Sequence, residues 1–448
     1  MAESPNRRAG DIAALLERAA ADRQAGRLAD AEAACRAALA LDPDHPVALN
    51  NLGAIRAQGG DPQAAVEIFD RLLAAEPAYV SAHLNRAGAL RALGRTEAAI
   101  QGYRTVVALE PDHHGAHRAL GFLWLAAGRR DRALDHFART YDLRRGEGRI
   151  GIAEKSLRTA SPLKLRHDAA LFRHLPPRAR DGQRFEILAR LYDSVAAELP
   201  HGETVLSDAQ LERLGPDYNT GIHVIDAPEL PGGAVNPRLD GAALKRRYRD
   251  AEPGMVWFDD LLAPKALALL QRFLRESTIW HDFSHIDGFV AAYLEDGLAS
   301  PLVLQIADEF RALLPDLLGA LPLSQAWAFK GVRGERPVDI HADDAAISLN
   351  FWVTPDAANR DPATGGLAVC RTRPPEGWKM TGYDEDTARI RTFLDAHGAE
   401  IETVPYRENR AVLFESRLFH GSDAPDFATG YADHRINITM LFGDGKNM

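Results

Sequence analysis

The chain has 448 residues, 46% of them apolar and 26% charged, more than one hydrophobic core usually serves, so two or three folded domains are expected. The formal net charge of −10 is uneven: residues 1–150 carry 20 Lys/Arg against 19 Asp/Glu, leaving 33 against 44 in the other 298, and that acidic balance repels a phosphate backbone and argues against a nucleic-acid partner. No apolar run approaches the roughly 18 residues of a membrane span, the N-terminus lacks the pattern of a secretory signal, and only Cys35 and Cys370 occur, which together point to a reducing cytoplasm with no membrane partner.

The first third is periodic. Gly26, Gly60, Gly94 and Gly128 recur every 34 residues, as do Pro43, Pro77 and Pro111. Ala31, Ala65, Ala99 and Ala133 follow each glycine by five positions, and Cys35, Phe69, Tyr103 and Phe137 lie four further on. Each unit reads as helix, glycine turn, helix and closing proline, with the small alanine admitting a neighbouring helix and the larger side chain filling the gap beside it. This pattern resembles the tetratricopeptide repeat, with four units at about 12–45, 46–79, 80–113 and 114–147 inside a repeat region of 11–147. Such units bury their apolar faces only by stacking, which makes an α-solenoid with a concave surface suited to a peptide or protein partner. Asn50, Leu84, Arg118 and Phe122 are the candidates for that surface, and they show no charge code for one kind of peptide end. A spacer or dimerisation arm is the alternative use of the array.

Residues 148–250 read as a helical extension and connector, with helical spacing in LRHDAALFRHL and RFEILARLYDSVAAEL and then Pro/Gly/Asp-rich turns. The last region, 251–448, opens with a short strand at MVWFDDLL and amphipathic helices over about 263–277 and 300–318. After residue 325 the words AWAFKGV, VDIHAD, AISLNFWV, GGLAVC, IETVPY, RAVLFES and RINITMLF predict short strands, hence an antiparallel sandwich or barrel. The polar segment 371–400 interrupts them as an insertion, read equally well as a flap over the site or as inert surface.

Three features of this β-rich stretch carry chemistry. His341 and Asp343 are two apart, so on a strand an imidazole and a carboxylate share one face. His420 ends the word RAVLFESRLFH, where a strand meets a turn. Two imidazoles and one carboxylate leave three adjacent positions of a metal open, the arrangement that suits non-haem Fe(II) binding a bidentate co-substrate together with O2. Arg435 opens RINITMLF, where Arg435, Asn437 and Thr439 alternate with Ile436, Ile438 and Met440, and a guanidinium in a dry pocket pairs best with a carboxylate.

The ordered set His-x-Asp, Gly-Gly strand, distal His and Arg resembles the Fe(II)/2-oxoglutarate-dependent dioxygenases, and the last 200 residues are most similar to a bacterial, prolyl-4-hydroxylase-like branch fused to tetratricopeptide repeats. The words that carry the likeness are WFDDLL, HADDAAISLNFWVTPDAAN, TGGLAVC, YRENRAVLFESRLFHGSD and GYADHRINITMLFGD. The resemblance implies a multidomain α plus β protein, an α-solenoid followed by a double-stranded β-helix (jelly-roll) domain with flanking helices. It implies His341, Asp343 and His420 as metal ligands, Arg435 on the distal carboxylate of 2-oxoglutarate, and Fe(II), 2-oxoglutarate and O2 as cofactor and co-substrates of C–H hydroxylation. Many relatives carry Ser or Thr where this chain has Asn437. Ser348, Asn350 and Trp352 share one strand face and complete the candidate pocket with Asn437. The carboxylate at Asp343 favours hydroxylation over halogenation, because family halogenases carry a small residue there.

Other residues have plainer readings. Asp344 points away from His341; Cys370 is a buried inert thiol; His397 and His434 are surface or packing residues, and His281 and His285 carry no assigned role. Arg373 and Lys330 are rival cations for the carboxylate, but neither stands at the expected place after the distal His. Trp257, Trp327 and Trp378 are read as core or rim. A peptide substrate recruited by the repeats is expected, with a free amino acid or small metabolite, or a non-catalytic adaptor, as alternatives.

Overall fold

In the computed structural model, the residues described are 5–149, 154–175, 182–283, 288–332, 338–375, 378 and 383–443. The chain divides into two compact units, Met1–Trp124 and Leu125–Met448.

The first unit is a helical array. Helices α1 (Pro5–Gln24), α2 (Leu28–Leu41), α3 (Pro46–Gln58), α4 (Pro62–Ala75), α5 (Val80–Ala92) and α6 (Thr96–Leu109) pair in the predicted 34-residue frame, and α7 (His114–Ala126) opens the fourth repeat. The periodic glycines sit where each helix pair turns, with φ of 76°, 86°, 71° and 68° at Gly26, Gly60, Gly94 and Gly128, a left-handed conformation that favours glycine. Phe69 is fully buried, and it lies against Gly53, where a Cβ would stand 2.6 Å from the ring. The phased large residue thus fills the space a missing side chain leaves on the preceding helix. Asn50 and Leu84 are half-buried on α3 and α5, and Asn85 donates to Asn50 at 3.1 Å.

The boundary between units falls within the fourth repeat, earlier than the end of the 34-residue frame at 147. The reason lies in α8 (Arg130–Arg145), the second helix of that repeat, whose partners lie in the C-terminal unit. Arg145 makes a buried two-point ion pair with Asp296 at 2.9 and 2.5 Å, and the Tyr141 hydroxyl meets His281 Nε2 at 3.1 Å.

Within the C-terminal unit, α9 (Pro162–His174) and α10 (Gly182–Ala196) form the expected helical extension, and the connector contains α11 (Gly241–Asp250). Helices α12 (Pro264–Glu276) and α13 (Pro301–Leu313) follow; α13 ends before Pro315, which begins a separate short turn of helix. The strands are β1 (Met255–Phe258), β2 (Phe289–Tyr293), β3 (Leu323–Gly331), β4 (Ile347–Trp352), β5 (Leu367–Cys370), β6 (Ile401–Val404), β7 (Ala411–Glu415), β8 (His420–Ser422) and β9 (Ile436–Phe442). The short strand β2 is not among the strands expected from the sequence.

Besides a short antiparallel pairing of Thr159–Ala160 with Thr204–Val205, these strands form two antiparallel sheets, one ordered β1-β7-β4-β9-β3-β2 and the other β8-β5-β6. The segment 338–341 extends the smaller sheet through a bridge between His341 and His420. From β3 onward the chain passes repeatedly between the sheets, and Trp352, Val369, Tyr406 and Phe414 fill the space between them. Strand β9 is buried along its whole length, as a central strand covered on both faces must be.

Segment 371–400 contains α14 (Tyr383–His397). It is anchored: Ile390 and Leu394 join Cys370 and Phe419 in a small core, with Ile340 and Ala342 packed against it. Those neighbours flank both histidines of the predicted triad, so α14 braces the two segments that carry them. Ile390→Ala is expected to cost about 2–5 kcal/mol of stability, as large-to-small core changes do. Chemical denaturation would measure this, and a loss of divalent-metal affinity should accompany it.

Candidate active site

His341 and His420 face each other across the bridge that closes the smaller sheet, with backbone hydrogen bonds of 2.9 and 2.8 Å in the two directions. Gly421 allows the two segments to approach, since a Cβ there would lie 2.7 Å from the Val338 carbonyl oxygen. The ring centroids are 4.4 Å apart. In each ring Nδ1 is held by the carbonyl two residues earlier, Asp339 O at 2.9 Å and Leu418 O at 2.8 Å. A proton fixed on Nδ1 by such a bond leaves Nε2 with its lone pair as the ligand atom.

Asp343 completes the set, with Oδ1 3.9 Å from His341 Nε2 and Oδ2 3.5 Å from His420 Nε2. The three ligand atoms lie within 4.8 Å of one another, a spacing that admits one cation. Ser348 donates to Asp343 Oδ2 at 3.1 Å and bonds Ser416 Oγ at 2.9 Å, fixing the carboxylate's rotation. Asp344, next in sequence, is exposed on the other side.

Electrostatics suit a metal. Burial, together with the charge of His420, brings His341 down to about 4, so it is neutral at pH 7. Burial also opposes charge on Asp343 and on His420, but each holds the other in its charged form: Asp343 is lowered and His420 raised. A divalent cation binding at Nε2 would displace any proton held there. The donor set, two imidazoles and one carboxylate with open positions, is that of non-haem Fe(II) sites.

The triad opens on a small cavity whose lining also includes Arg435, Asn437, Thr439, Asn350, Leu367, Trp327 and Phe329. Arg435 is only 2% exposed and is oriented by neutral acceptors: Nε donates to Gly365 O at 2.7 Å, Nη2 to Gly366 O at 3.2 Å and Nη1 to Asn437 Oδ1 at 3.1 Å. Glycine is required at 366, where a Cβ would lie 1.9 Å from the Val404 carbonyl oxygen. The Gly-Gly word thus places two carbonyls against the guanidinium. Asn437, with its amide oxygen engaged in this way, holds Arg435 in position.

The structure brings His341, Asp343, His420, Arg435, Asn437 and Asn350 to one cavity. Ser348 is fully buried behind Asp343 and acts through it. Trp352 is different: although it shares the strand face of Ser348 and Asn350, it does not line the cavity and is buried in the inter-sheet core beside Tyr406. At that end of β4 the sheets have closed together, so the shared face has become core. Trp327, expected at core or rim, does line the cavity, and so does Phe329. Their alternation on β3 was the signal available for that. Ser416, an isolated serine after a strand, carries no sequence cue to its bond with Ser348.

The rival residues lie elsewhere. Lys330 is on the opposite face of β3 from Phe329, fully buried, with Nζ 3.3 Å from the centroid of the Tyr431 ring. Arg373 pairs with Glu415 and Glu252 near the surface. Cys370 is buried, and His397 is exposed with Nδ1 bonded to Phe393 O. His285 lies outside the described residues. Trp378 packs on Phe393 and Phe419, and Trp257 borders the inter-sheet core.

The buried histidines set a pH dependence of stability. Burial lowers His167 to about 4 and His434 to about 3, with Lys330 adding to both shifts, and burial puts His281 well below its usual value. In the unfolded chain all three titrate near 6.5, so between that pH and about 4 the unfolded state binds more protons. The stability of the C-terminal unit is then full above about pH 6.5 and falls, by a few kcal/mol, as pH drops toward 4. Urea titrations at pH 7.5 and 5 would detect this, and equal midpoints would contradict it.

Comparison with known proteins bears on the N-terminal part. Two family models described as tetratricopeptide repeat match residues 22–85 and 84–149, so this stretch consists of tetratricopeptide repeats. Among solved structures, residues covering 30% of this chain are 24% identical to 76% of the chain of MamA from Desulfovibrio magneticus RS-1, with a TM-score of 0.29. A tetratricopeptide repeat protein from Parabacteroides merdae is 26% identical over 29% of this chain and 52% of its own, with a TM-score of 0.27. The first tetratricopeptide domain of Spaghetti (RPAP3), bound to an HSP90 peptide, is 23% identical over 27% and 94%, with a TM-score of 0.26. No helix among the described residues is long and apolar enough to cross a membrane.

Proposed function

We propose that the C-terminal unit is an Fe(II)- and 2-oxoglutarate-dependent hydroxylase on a double-stranded β-helix, acting on a peptide or protein recruited by the tetratricopeptide repeats. The observation that carries this reading is one cavity holding both a two-histidine, one-carboxylate cluster and a buried, oriented arginine. In the reaction, 2-oxoglutarate, O2 and a substrate C–H give succinate, CO2 and the corresponding alcohol. A bound Fe(II) supplies the redox chemistry with O2 that no side chain provides. His341, Asp343 and His420 hold it, with Asp339 O, Leu418 O and Ser348 setting the direction of their ligand atoms.

Arg435 takes the distal carboxylate of the keto acid, and Asn437 fixes the guanidinium for a bidentate approach. Leu367 and Phe329 keep water from that pair, which raises its strength. Asp343 fills the carboxylate position of the triad, which supports hydroxylation over halogenation. The concave surface of the repeats is the kind of surface on which solenoids bind extended chains, and it is the reason for favouring a peptide substrate.

The test is succinate formation. Protein purified without oxygen, then given Fe(II), 2-oxoglutarate and O2, should produce succinate by NMR where His341→Ala produces none. Absence of succinate together with absence of 2-oxoglutarate binding would sink the enzymatic reading.

A further inference from the structure

The cavity has two chemically different ends. Strand pairing places Asn350, Thr439, Trp327 and Tyr293 in one row across the larger sheet. Arg435 stands level with Gly331, four residues or about 13 Å along β3 from Trp327. Ser348, which holds Asp343, is level with Leu441 and so with Gln325, on the side of Trp327 away from Arg435. Trp327 therefore stands between the levels of Arg435 and Ser348, and the side left to a substrate is the β2 edge of the sheet, the end that Trp327 and Tyr293 form.

That end is aromatic and acidic. Trp327 and Phe329 line the cavity with half-buried rings 6.1 Å apart, and Tyr293 continues the wall at 6.5 Å from Trp327. Glu295, 7% exposed, accepts from Gln325 at 3.2 Å, and Asp282 hydrogen-bonds Tyr293. Arg435 is the only Lys or Arg among the described lining residues. In the same row Asn350, 7% exposed, donates to Thr439 at 3.2 Å, while its amide oxygen has no hydrogen-bond partner among the described residues. Ring faces and one waiting acceptor, with the Glu295 carboxylate close by, favour a cation that carries N–H donors.

We infer that the substrate presents a cationic side chain, lysyl or arginyl in character, to the Trp327–Tyr293 wall beside Glu295, with a C–H a few bonds from the charge offered to the triad. This rests on the hydroxylase reading above. Trp327 on β3 is two strand spacings, roughly 10 Å, from Asn350 on β4. A long side chain spans that distance better than a short one.

The test uses full-length protein loaded with a divalent metal and 2-oxoglutarate under nitrogen, and a matched pair of short capped peptides with lysine or norleucine at the centre. Calorimetry should show the lysine peptide binding at least tenfold tighter. The advantage should shrink severalfold in Glu295→Gln and in Trp327→Leu, with Trp327→Phe as the milder variant if the leucine form does not fold. Norleucine binding as tightly, no measurable binding of either peptide, or an advantage unchanged in all variants would overturn the inference. Measuring 2-oxoglutarate binding on the same samples separates the outcomes: if it is intact, only the cationic preference has failed, and if it is lost, the hydroxylase reading fails first.

Discussion

Replacing His420 by alanine should abolish divalent-metal binding and all succinate formation, and His341→Ala and Asp343→Ala should do the same. Each removes one of three ligand atoms that lie within 4.8 Å of one another, so no neighbour restores the set. Ser348→Ala gives the graded control. Ser348 touches Asp343 but does not line the cavity, so its loss should weaken metal affinity by about 10–100-fold, the usual effect of a partner behind a ligand. Metal titration by calorimetry would check both. Equal affinity in His420→Ala and the parent protein would show that the cluster is an accident of packing. The residual affinity of Ser348→Ala should also fall with decreasing pH, because any proton held at the His420–Asp343 pair is retained more readily in acid.

Arg435→Leu should leave the metal in place and remove 2-oxoglutarate. Truncating one partner of a buried, hydrogen-bonded charge pair costs about 2–5 kcal/mol, or about 30- to 3,000-fold in affinity. Arg435→Lys should recover only part of this, because an ammonium does not reproduce the fork that now spans Gly365, Gly366 and Asn437. Asn437→Ala should raise the dissociation constant less, by loosening the guanidinium and not removing it. If Arg435→Leu bound 2-oxoglutarate as the parent does, the carboxylate would have to be held elsewhere. Lys330, on the far face of β3, and Arg373, tied to Glu415, are both badly placed for that.

The repeats were the most legible part of the chain, because a period of 34 residues repeats its evidence: glycines in the left-handed turn and a large residue filling the space on the preceding helix. Strand alternation placed His341 and Asp343 on one face, yet of the expected strand VDIHAD only His341 is paired, by an isolated bridge to His420, and Asp343 lies in irregular backbone after it. The same rule misplaced Trp352. Alternation reports which face a side chain points to, but not where along that face the cavity gives way to core. Strand β2 and the buttressing role of α14 were hidden for a different reason. Their importance comes from partners distant in sequence, Trp327 for Tyr293 and Cys370 with Phe419 for Ile390, and no local pattern announces such partners. The end of the repeat array is a third case: α8 keeps the repeat period while its ion pair with Asp296 ties it to the C-terminal unit.

The most direct measurement is an anaerobic titration of 2-oxoglutarate into the full-length protein with and without Fe(II), followed by calorimetry and by the visible absorption of an iron–keto acid chelate. Tight binding is expected only when Fe(II) is present, with a coloured complex and loss of both signals in His341→Ala. Binding that ignores the metal, or a colourless iron-loaded protein that takes up no 2-oxoglutarate, would contradict the hydroxylase reading.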